Sequence, residues 1–288
     1  MPHDRERLPA AHTLPSEQRS IVTEPAVRID TTRPHPARVY DWYLGGKDNY
    51  PVDEALGRQI MAIDTGAPRA ARSNRRFMQR ATRHLAGPAG IRQFLDIGTG
   101  IPTEPNLHQI AQSYAPDARV VYVDNDPIVL AHAEALLRGT KEGVTEYVQA
   151  DAREPGAILE RAAQVLDFDR PVALSLIALL HFVSDADGAY DVVGTLVEAL
   201  APGSCLVLSC MTADFEPENV REGIERYAAG GVTLVARTHG EVGRFFTGLE
   251  VLEPGIVSVK DWRPDLARDE SPLGEGPVSL YGAVGVKS

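Results

Sequence analysis

One segment of the chain constrains the fold more than any other, because it joins an apolar run, an acid and two glycines. Phe94-Leu95-Asp96-Ile97 is typical of a buried β-strand, and Gly98-Thr99-Gly100 follows it directly, ahead of a helical pattern. Glycine has no Cβ, so the backbone there can turn tightly and approach a ligand closely. A strand, a tight turn and a helix N-terminus in this order mark the place where an α/β protein binds a nucleotide-like ligand.

Two further acids end the next two apolar runs. Asp124 follows Val120-Val121-Tyr122-Val123, and Asp151 follows Tyr147-Val148-Gln149-Ala150. The glycine turn lacks the third glycine of the dinucleotide fingerprint, and Asp96 stands where dehydrogenases have an apolar residue. The three strand-end acids therefore favour S-adenosylmethionine (SAM) over NAD as the ligand.

Each acid has a predicted role and an alternative. Asp124 can accept hydrogen bonds from both ribose hydroxyls, or it can cap the following helix. Asp151 can accept from the adenine amino group, or it can be a surface turn residue. Asp96 can face the α-amino group of the ligand, or it can brace the turn. The predicted cofactor-binding residues of the three turns are Asp96, Gly98, Thr99, Gly100, Asp124, Asn125, Asp151 and Ala152.

Composition and charge exclude several classes of protein. The chain has 288 residues, 43% of them hydrophobic, and a net charge of −11, which disfavours a nucleic-acid partner because phosphate binding needs clustered basic groups. No apolar run approaches the roughly 18–20 residues of a membrane span, and the first residues lack the apolar core of a signal peptide. Cys205 and Cys210 are predicted on opposite faces of one strand, too far apart for a disulfide. We expect a soluble cytoplasmic protein, and the histidine spacing predicts no metal site.

The order of predicted elements indicates an N-terminal helical region followed by an α/β domain. Residues 1–30 are predicted to be a flexible tail, residues 31–90 a helical cap and residues 91–288 the ligand-binding domain. Thr103 is the predicted N-cap of the first helix after the glycine turn. The strand candidates span residues 93–97, 119–124, 145–150, 172–178 and 204–210, the intervening helix candidates span residues 104–114, 127–138, 155–166 and 186–200, and two further strands are expected near residues 250–257 and 279–286.

The strand-end segments resemble the motifs of a known family. Residues 94–103, 120–127 and 147–154 are similar to motifs one, two and three of the class I SAM-dependent methyltransferases, and residues 172–183 would be the fourth. The resemblance implies a Rossmann-like α/β fold, with a seven-stranded, mostly parallel sheet that contains one antiparallel strand. It also implies SAM as the cofactor.

A second resemblance extends towards the N-terminus. Thr32-Arg33-Pro34-His35-Pro36-Ala37-Arg38-Val39-Tyr40-Asp41 and Leu44-Gly45-Gly46-Lys47-Asp48-Asn49 resemble the opening of a bacterial family of SAM-dependent methyltransferases of unknown substrate. This likeness covers nearly the whole chain from residue 30. It implies a cofactor but no acceptor.

Three features leave a role open. His181, after the fourth strand, is a candidate general base, or it is a structural hydrogen-bonding group. The arginine-rich segment 69–83 is expected to be a solvated charged face, with an anion clamp as the alternative. The segment 38–49 is predicted to be a lid in which Arg38 or Lys47 pairs with the SAM carboxylate, and the alternative is a packing strap.

The leading hypothesis is a SAM-dependent methyltransferase that acts on a small molecule. SAM carries an activated methyl group, so positioning and exclusion of water are expected to supply most of the rate. One alternative is a SAM-binding sensor or partner module without catalysis, because it would share every cofactor residue. The other is an NAD-dependent oxidoreductase, which the incomplete glycine fingerprint and Asp96 disfavour.

Overall fold

A single mixed sheet organises the chain. The computed structural model describes residues 30–129, 139–268 and 271–288. Within these, the strands follow the order β3-β2-β1-β4-β5-β8-β6 across the sheet, and the two-residue β7 pairs with β8. Their bounds are β1 Gln93–Ile97, β2 Arg119–Asp124, β3 Val144–Gln149, β4 Ala173–Ile177, β5 Cys205–Met211, β6 Leu249–Val251, β7 Val257–Ser258 and β8 Leu280–Lys287.

The first five strands are parallel, and β8 is the antiparallel one. Strand β8 pairs antiparallel with β5, β6 and β7, so it alone is reversed among the described strands. This confirms the predicted mostly parallel sheet with one antiparallel strand. The described sheet has eight strands where seven were expected, because the strand expected near residues 250–257 is divided into β6 and the two-residue β7.

The helices cover both faces of the sheet, and three of them precede it. The described helices are α1 Pro36–Leu44, α2 Pro51–Ile63, α3 Ala67–Ala86, α4 Leu107–Tyr114, α5 Pro155–Ala162, α6 Ala189–Glu198, α7 Pro217–Ala229 and α8 His239–Arg244. None of them is both long and apolar enough to cross a membrane. The predicted tail lies outside the described residues, as does most of the predicted helix 127–138.

The core has two layers because side chains alternate along each strand. Leu95, Val121 and Cys210 belong to the layer under α5 and α6. Phe94 and Cys205 belong to the opposite layer, under α3 and α4. Both cysteines are free, and their placement in different layers confirms the prediction that they cannot form a disulfide.

Helix α3 corrects the expectation of a solvated charged face. Arg80 is buried and donates to the carbonyl oxygens of Trp262 at 2.8 Å and Val259 at 2.6 Å. Neighbouring arginines of the helix donate to other carbonyl oxygens of the same C-terminal segment. These bonds run from Arg69 to Pro277, from Arg76 to Ser271 and from Arg83 to Leu266. The arginines therefore hold this irregular C-terminal segment against α3. The helical periodicity of the sequence does not predict these contacts.

A smaller correction concerns the start of α4. Asn106, and not Thr103, is its N-cap, in a capping box with Gln109. The Asn106 side chain accepts from the Thr103 amide at 3.0 Å, and Gln109 accepts from the Asn106 amide at 2.6 Å. Residues 101–106 are therefore a longer loop that carries the chain over the sheet edge before the helix begins.

Candidate functional site

A cavity of about 600 Å³ lies where the carboxyl ends of β1, β2, β3 and β4 meet the N-terminal helices. In open α/β sheets this edge is where ligands bind. Every predicted site residue except Lys47 lines it. The members are Arg38, Asp96, Gly98, Thr99, Gly100, Asp124, Asn125, Asp151, Ala152 and His181.

The turn after β1 requires both of its glycines. Gly98 has a φ of 74° and Gly100 a φ of 66°, a left-handed conformation that glycine adopts without steric cost. A Cβ at Gly98 would lie 2.7 Å from a methyl carbon of Leu179. At Gly100 the nearest atom to a Cβ would be 3.9 Å away, so the backbone there has open space for a ligand.

Asp124 is fixed by the backbone and keeps acceptor capacity for a ligand. Its Oδ2 accepts from the Gly100 amide at 2.8 Å, and its Oδ1 accepts from the Asp126 amide at 2.9 Å. An ionised carboxylate has about four acceptor positions, so roughly half remain. Burial raises the pKa of Asp124, and the two amide hydrogen bonds oppose that rise. The helix-capping role falls to Asp126, which accepts from Ile128.

Asp96 both braces the turn and faces the cavity. Its Oδ2 accepts from the Thr99 hydroxyl at 2.6 Å. Burial raises the pKa of Asp96 to about 6, while the bond from Thr99 and the nearby Arg75 lower it. The two roles left open by the sequence are therefore compatible, because one oxygen remains for a ligand.

Asp151 is a partly exposed turn residue with its own arginine. Arg153 donates to Oδ1 from its backbone amide at 2.9 Å and from Nε at 3.0 Å. Its Nη2 lies 2.5 Å from Oδ2. These hydrogen bonds lower the pKa of Asp151, so the carboxyl stays ionised and can accept one more hydrogen bond at the cavity wall.

The two cations predicted to meet a ligand carboxylate are placed differently. Arg38 lines the cavity but is buried in ion pairs, with Asp126 Oδ2 at 3.3 Å from its Nε and Asp53 Oδ2 at 3.8 Å from its Nη1. Lys47 is exposed and lies outside the cavity lining. The Gly46–Asn49 turn is held by Asp41, whose Oδ2 accepts from the Asp48 amide and from Asn49 Nδ2.

Arg75 lines the cavity from α3 and is, in the sequence, only one of several arginines in segment 69–83, where an anion clamp is the alternative. Its Nη2 donates to the carbonyl oxygens of Thr103 and Pro105. Its Nε is buried without a hydrogen-bond partner. Asp96 interacts with it electrostatically. The helix period places Arg75 among several arginines, and no local signal separates it from the others.

His181 is buried at the end of β4 and is neutral. Its Nδ1 accepts from the Met211 amide at 3.3 Å, which assigns the proton to Nε2. Burial, with the nearby Arg237, lowers the pKa of His181 to about 3. An imidazole with so low a pKa is a poor general base at neutral pH. The geometry favours the structural alternative, in which the ring supports β5 and the cavity wall.

A hydrogen-bonded chain joins the N-terminal helices to the strand ends. Tyr40 accepts from Asn74 Nδ2 at 3.1 Å, and Asn74 Oδ1 accepts from the Ser209 hydroxyl at 2.6 Å. Ser209 Oγ in turn accepts from the Ala178 amide at 2.9 Å. Ala178 has a φ of 55°, a strained conformation for a residue with a Cβ. The hydrogen bond that Ala178 donates to Ser209 holds this strained residue at the cavity.

The far half of the cavity is mostly apolar. Its apolar side chains come from α1, α2, α3, β5, α7 and the loops that follow β4 and α7, and they form a separate hydrophobic cluster. Those that also line the cavity include Tyr43, Ile60, Phe182, Met211, Tyr227 and Leu234. We call this half the acceptor compartment. The acid-lined half beside the glycine turn opens into it.

The acid-lined half fits SAM. The cofactor needs hydrogen-bond acceptors for two ribose hydroxyls, an adenine amino group and an α-amino group, and a cation for its carboxylate. Asp124, Asp151 and Asp96 are the acceptors in this half, and Arg75 has an unpartnered buried Nε. Among the described residues, no group of His, Cys, Asp and Glu is placed to hold a metal ion.

Comparison with known proteins agrees with this geometry. A model of the S-adenosyl methyltransferase family matches residues 22–288. A DUF574 family protein from Streptomyces avermitilis MA-4680 is 49% identical, with 91% of this chain and 100% of that chain covered and a TM-score of 0.86. A proposed methyltransferase from Thermobifida fusca YX is 40% identical, with coverages of 90% and 96% and a TM-score of 0.82. No curated protein matches the chain. The family match spans nearly the whole chain, so the chain belongs to the S-adenosyl methyltransferase family and uses SAM as its methyl donor.

Proposed function

We propose that this methyltransferase acts on a small molecule bound in the acceptor compartment. The observation that carries the proposal is the shape of the cavity, in which an acid-lined half and an apolar half are continuous and partly enclosed by the N-terminal helices. A site covered in this way suits an acceptor small enough for the whole molecule to fit inside the cavity. A protein or nucleic-acid acceptor would need an open approach, and the net charge of −11 disfavours nucleic acid.

The cofactor roles follow from the placement of the acids. Asp124 holds the ribose hydroxyls, Asp151 with Ala152 receives the adenine, and Asn125 lines the space between them. Asp96 holds the α-amino group, while Gly98, Thr99 and Gly100 let the backbone approach it. Arg75 takes the carboxylate, the role expected for Arg38 or Lys47, because Arg38 is already paired with Asp126 and Asp53.

Methyl transfer depends more on the positioning of SAM and acceptor than on proton transfer by the protein. SAM supplies an activated methyl group, which passes to a lone pair of the acceptor as the carbon–sulfur bond breaks and its electron pair stays on sulfur. The chain contributes the alignment of donor and acceptor and the exclusion of water. His181, neutral and bonded to Met211, shapes the wall and takes no proton. The acceptor's own proton, where it has one, leaves to solvent.

The proposal extends to the compartment in which the protein works. Both cysteines are free and buried, as is usual for proteins of the reducing cytoplasm. We therefore place the protein in the cytoplasm.

The experiment is transfer of a labelled methyl group. The protein is incubated with radiolabelled SAM and a bacterial extract separated by dialysis into small molecules and macromolecules. We expect label in the small-molecule fraction, and much less of it when Asp124→Ala replaces the wild type at the same low SAM concentration. Label in the protein or RNA fraction would contradict a small-molecule acceptor. Binding of SAM with no transfer to either fraction would favour the non-catalytic module.

A further inference from the structure

The acceptor compartment contains a buried hydroxyl that lacks a partner. Tyr43 is 7% exposed, and its hydroxyl has no hydrogen bond of normal geometry. The hydroxyl of Tyr227, across from it on α7, is close enough for the two groups to influence each other's pKa. Buried hydroxyls are almost always hydrogen-bonded, and an unmade bond costs free energy. The two hydroxyls therefore form a polar site in the compartment, where a ligand can supply the missing hydrogen bond.

Apart from two carboxylates, the rest of the compartment is apolar and aromatic. Ile60, Met211 and Leu234 line it alongside Phe182 and Tyr227. The rings of Phe182 and Tyr227 have centroids 6.4 Å apart and tilted planes, so they present both a face and an edge. Walls of this kind suit a flat ring, because aromatic groups pack in tilted or offset arrangements.

The charged side chains of the compartment disfavour an anion. Asp41 and Asp64 line it, and each carboxylate accepts backbone hydrogen bonds, from Asp48 and from Gly66. Arg33, which lines the cavity, is exposed, and Arg38 is already paired with Asp126 and Asp53. An anionic group inside would be desolvated beside carboxylates without a buried cation to pair with. An ammonium group would lose its hydration in a mostly apolar compartment, where Asp41 and Asp64 already hold the backbone at Asp48 and Gly66.

We infer that the acceptor is an uncharged, planar aromatic molecule with an oxygen substituent that completes the hydrogen bonding of Tyr43 and Tyr227. The inference rests on the proposed function, since it names the substrate class of the same site. It adds a positioning role for the two tyrosines. Their hydroxyls orient the ring in the compartment and leave the cofactor half unchanged.

The test is calorimetric titration of the full chain saturated with S-adenosylhomocysteine (SAH). The probes are 2-naphthol, 2-naphthoate and 2-naphthylmethylamine, which share a ring system and differ in charge. We expect 2-naphthol to bind at least tenfold more tightly than the other two. Tyr43→Phe and Tyr227→Phe should each weaken 2-naphthol roughly five- to tenfold and leave SAH affinity unchanged, because each removes one hydrogen bond. Tyr114→Phe, outside the cavity lining, is the matched control and should change neither.

The outcomes separate the two levels of the proposal. If SAH binds but 2-naphthol does not, or if naphthoate or the amine binds as tightly, the substrate class is wrong and the methyltransferase site stands. Equal binding of 2-naphthol to the wild type and both phenylalanine variants would overturn the role of the tyrosines. If SAH itself does not bind, the proposed function fails and this inference fails with it.

Discussion

The backbone amide of Gly100 donates a hydrogen bond to Oδ2 of Asp124 at 2.8 Å. This bond connects the glycine turn after β1 to the acid after β2, so the two motifs form one structural unit. Asp126 extends the unit, because its amide donates to the other oxygen of Asp124 and its own carboxylate pairs with Arg38. The position of Asp124 is thus set before any ligand binds, which lowers the entropic cost of binding.

Arg75 is predicted to recognise the carboxylate of SAM. Arg75→Gln should weaken SAH by about 1.5–3 kcal/mol, the range for hydrogen bonds to charged groups. It should leave the affinity for 5′-methylthioadenosine unchanged, because that molecule lacks the carboxylate. Calorimetric titration measures both. Arg72→Gln, on an exposed position of the same helix, is the control. Equal losses for both ligands would mean that Arg75 only supports the loop at Thr103.

Asp151 is predicted to read the adenine amino group. S-inosylhomocysteine, which carries a carbonyl oxygen in its place, would set an acceptor against an acceptor. We expect it to bind more weakly than SAH by about 1.5–3 kcal/mol in the wild type. In Asp151→Asn the difference should shrink, because an amide can donate to that oxygen. The two ligands are compared by competition against a fluorescent SAH analogue, and equal binding to the wild type would remove Asp151 from the adenine site.

Arg38 is predicted to be essential for stability. It is 4% exposed and pairs with two buried carboxylates, Asp53 and Asp126. Arg38→Met would leave Asp53 with backbone amides alone and Asp126 with His35 as its remaining side-chain partner. Loss of the arginine from two buried carboxylates should lower the free energy of unfolding by about 3–5 kcal/mol. Arg58→Met, which breaks an exposed pair with Glu54, should cost less than about 0.5 kcal/mol. Urea unfolding measures both variants, and similar midpoints would show that the Arg38 pairs contribute little.

His181 is predicted to remain neutral throughout the working pH range. Its pKa is lowered from 6.5 to about 3 in the folded state, so between these values only the unfolded chain binds the extra proton. This histidine's contribution to stability is therefore complete above pH 6.5 and is lost as the pH falls towards about 3. NMR of the imidazole should show no titration between about pH 5 and 8. An inflection inside that window would restore His181 as a candidate base.

The sequence patterns located the parts of the fold that depend on local chemistry. Strands β1 and β2 occur at their predicted bounds, because apolar alternation and a terminal acid define both ends. Helix α1 ends at Leu44, because Gly45 after it adopts the left-handed C-cap conformation with a φ of 84°. The three acids at the strand ends meet at one sheet edge because parallel strands place their carboxyl ends together.

The remaining features depend on packing that no local pattern encodes. Arg75 and Arg80 lie in the same arginine-rich helix, and the sequence does not distinguish them. Arg75 contacts the loop at Thr103 and lines the cavity, whereas Arg80 binds the C-terminal segment at Trp262. A glycine turn followed by a cation predicts that Lys47 pairs with the SAM carboxylate. Asp41 fixes that turn, and the lysine is exposed outside the cavity.

The central claim is that the acid after β2 holds the cofactor, and one titration tests it most directly. SAM and SAH are titrated calorimetrically into the wild type, Asp124→Ala and the exposed control Asp117→Ala. For each ligand, we expect Asp117→Ala to bind with the affinity of the wild type. We expect Asp124→Ala to bind each ligand more weakly by about 1.5–3 kcal/mol, because a charged acceptor of the ribose hydroxyls is lost. Unchanged affinity in Asp124→Ala would contradict the assignment of the site, and a wild type that binds neither ligand would contradict the whole account.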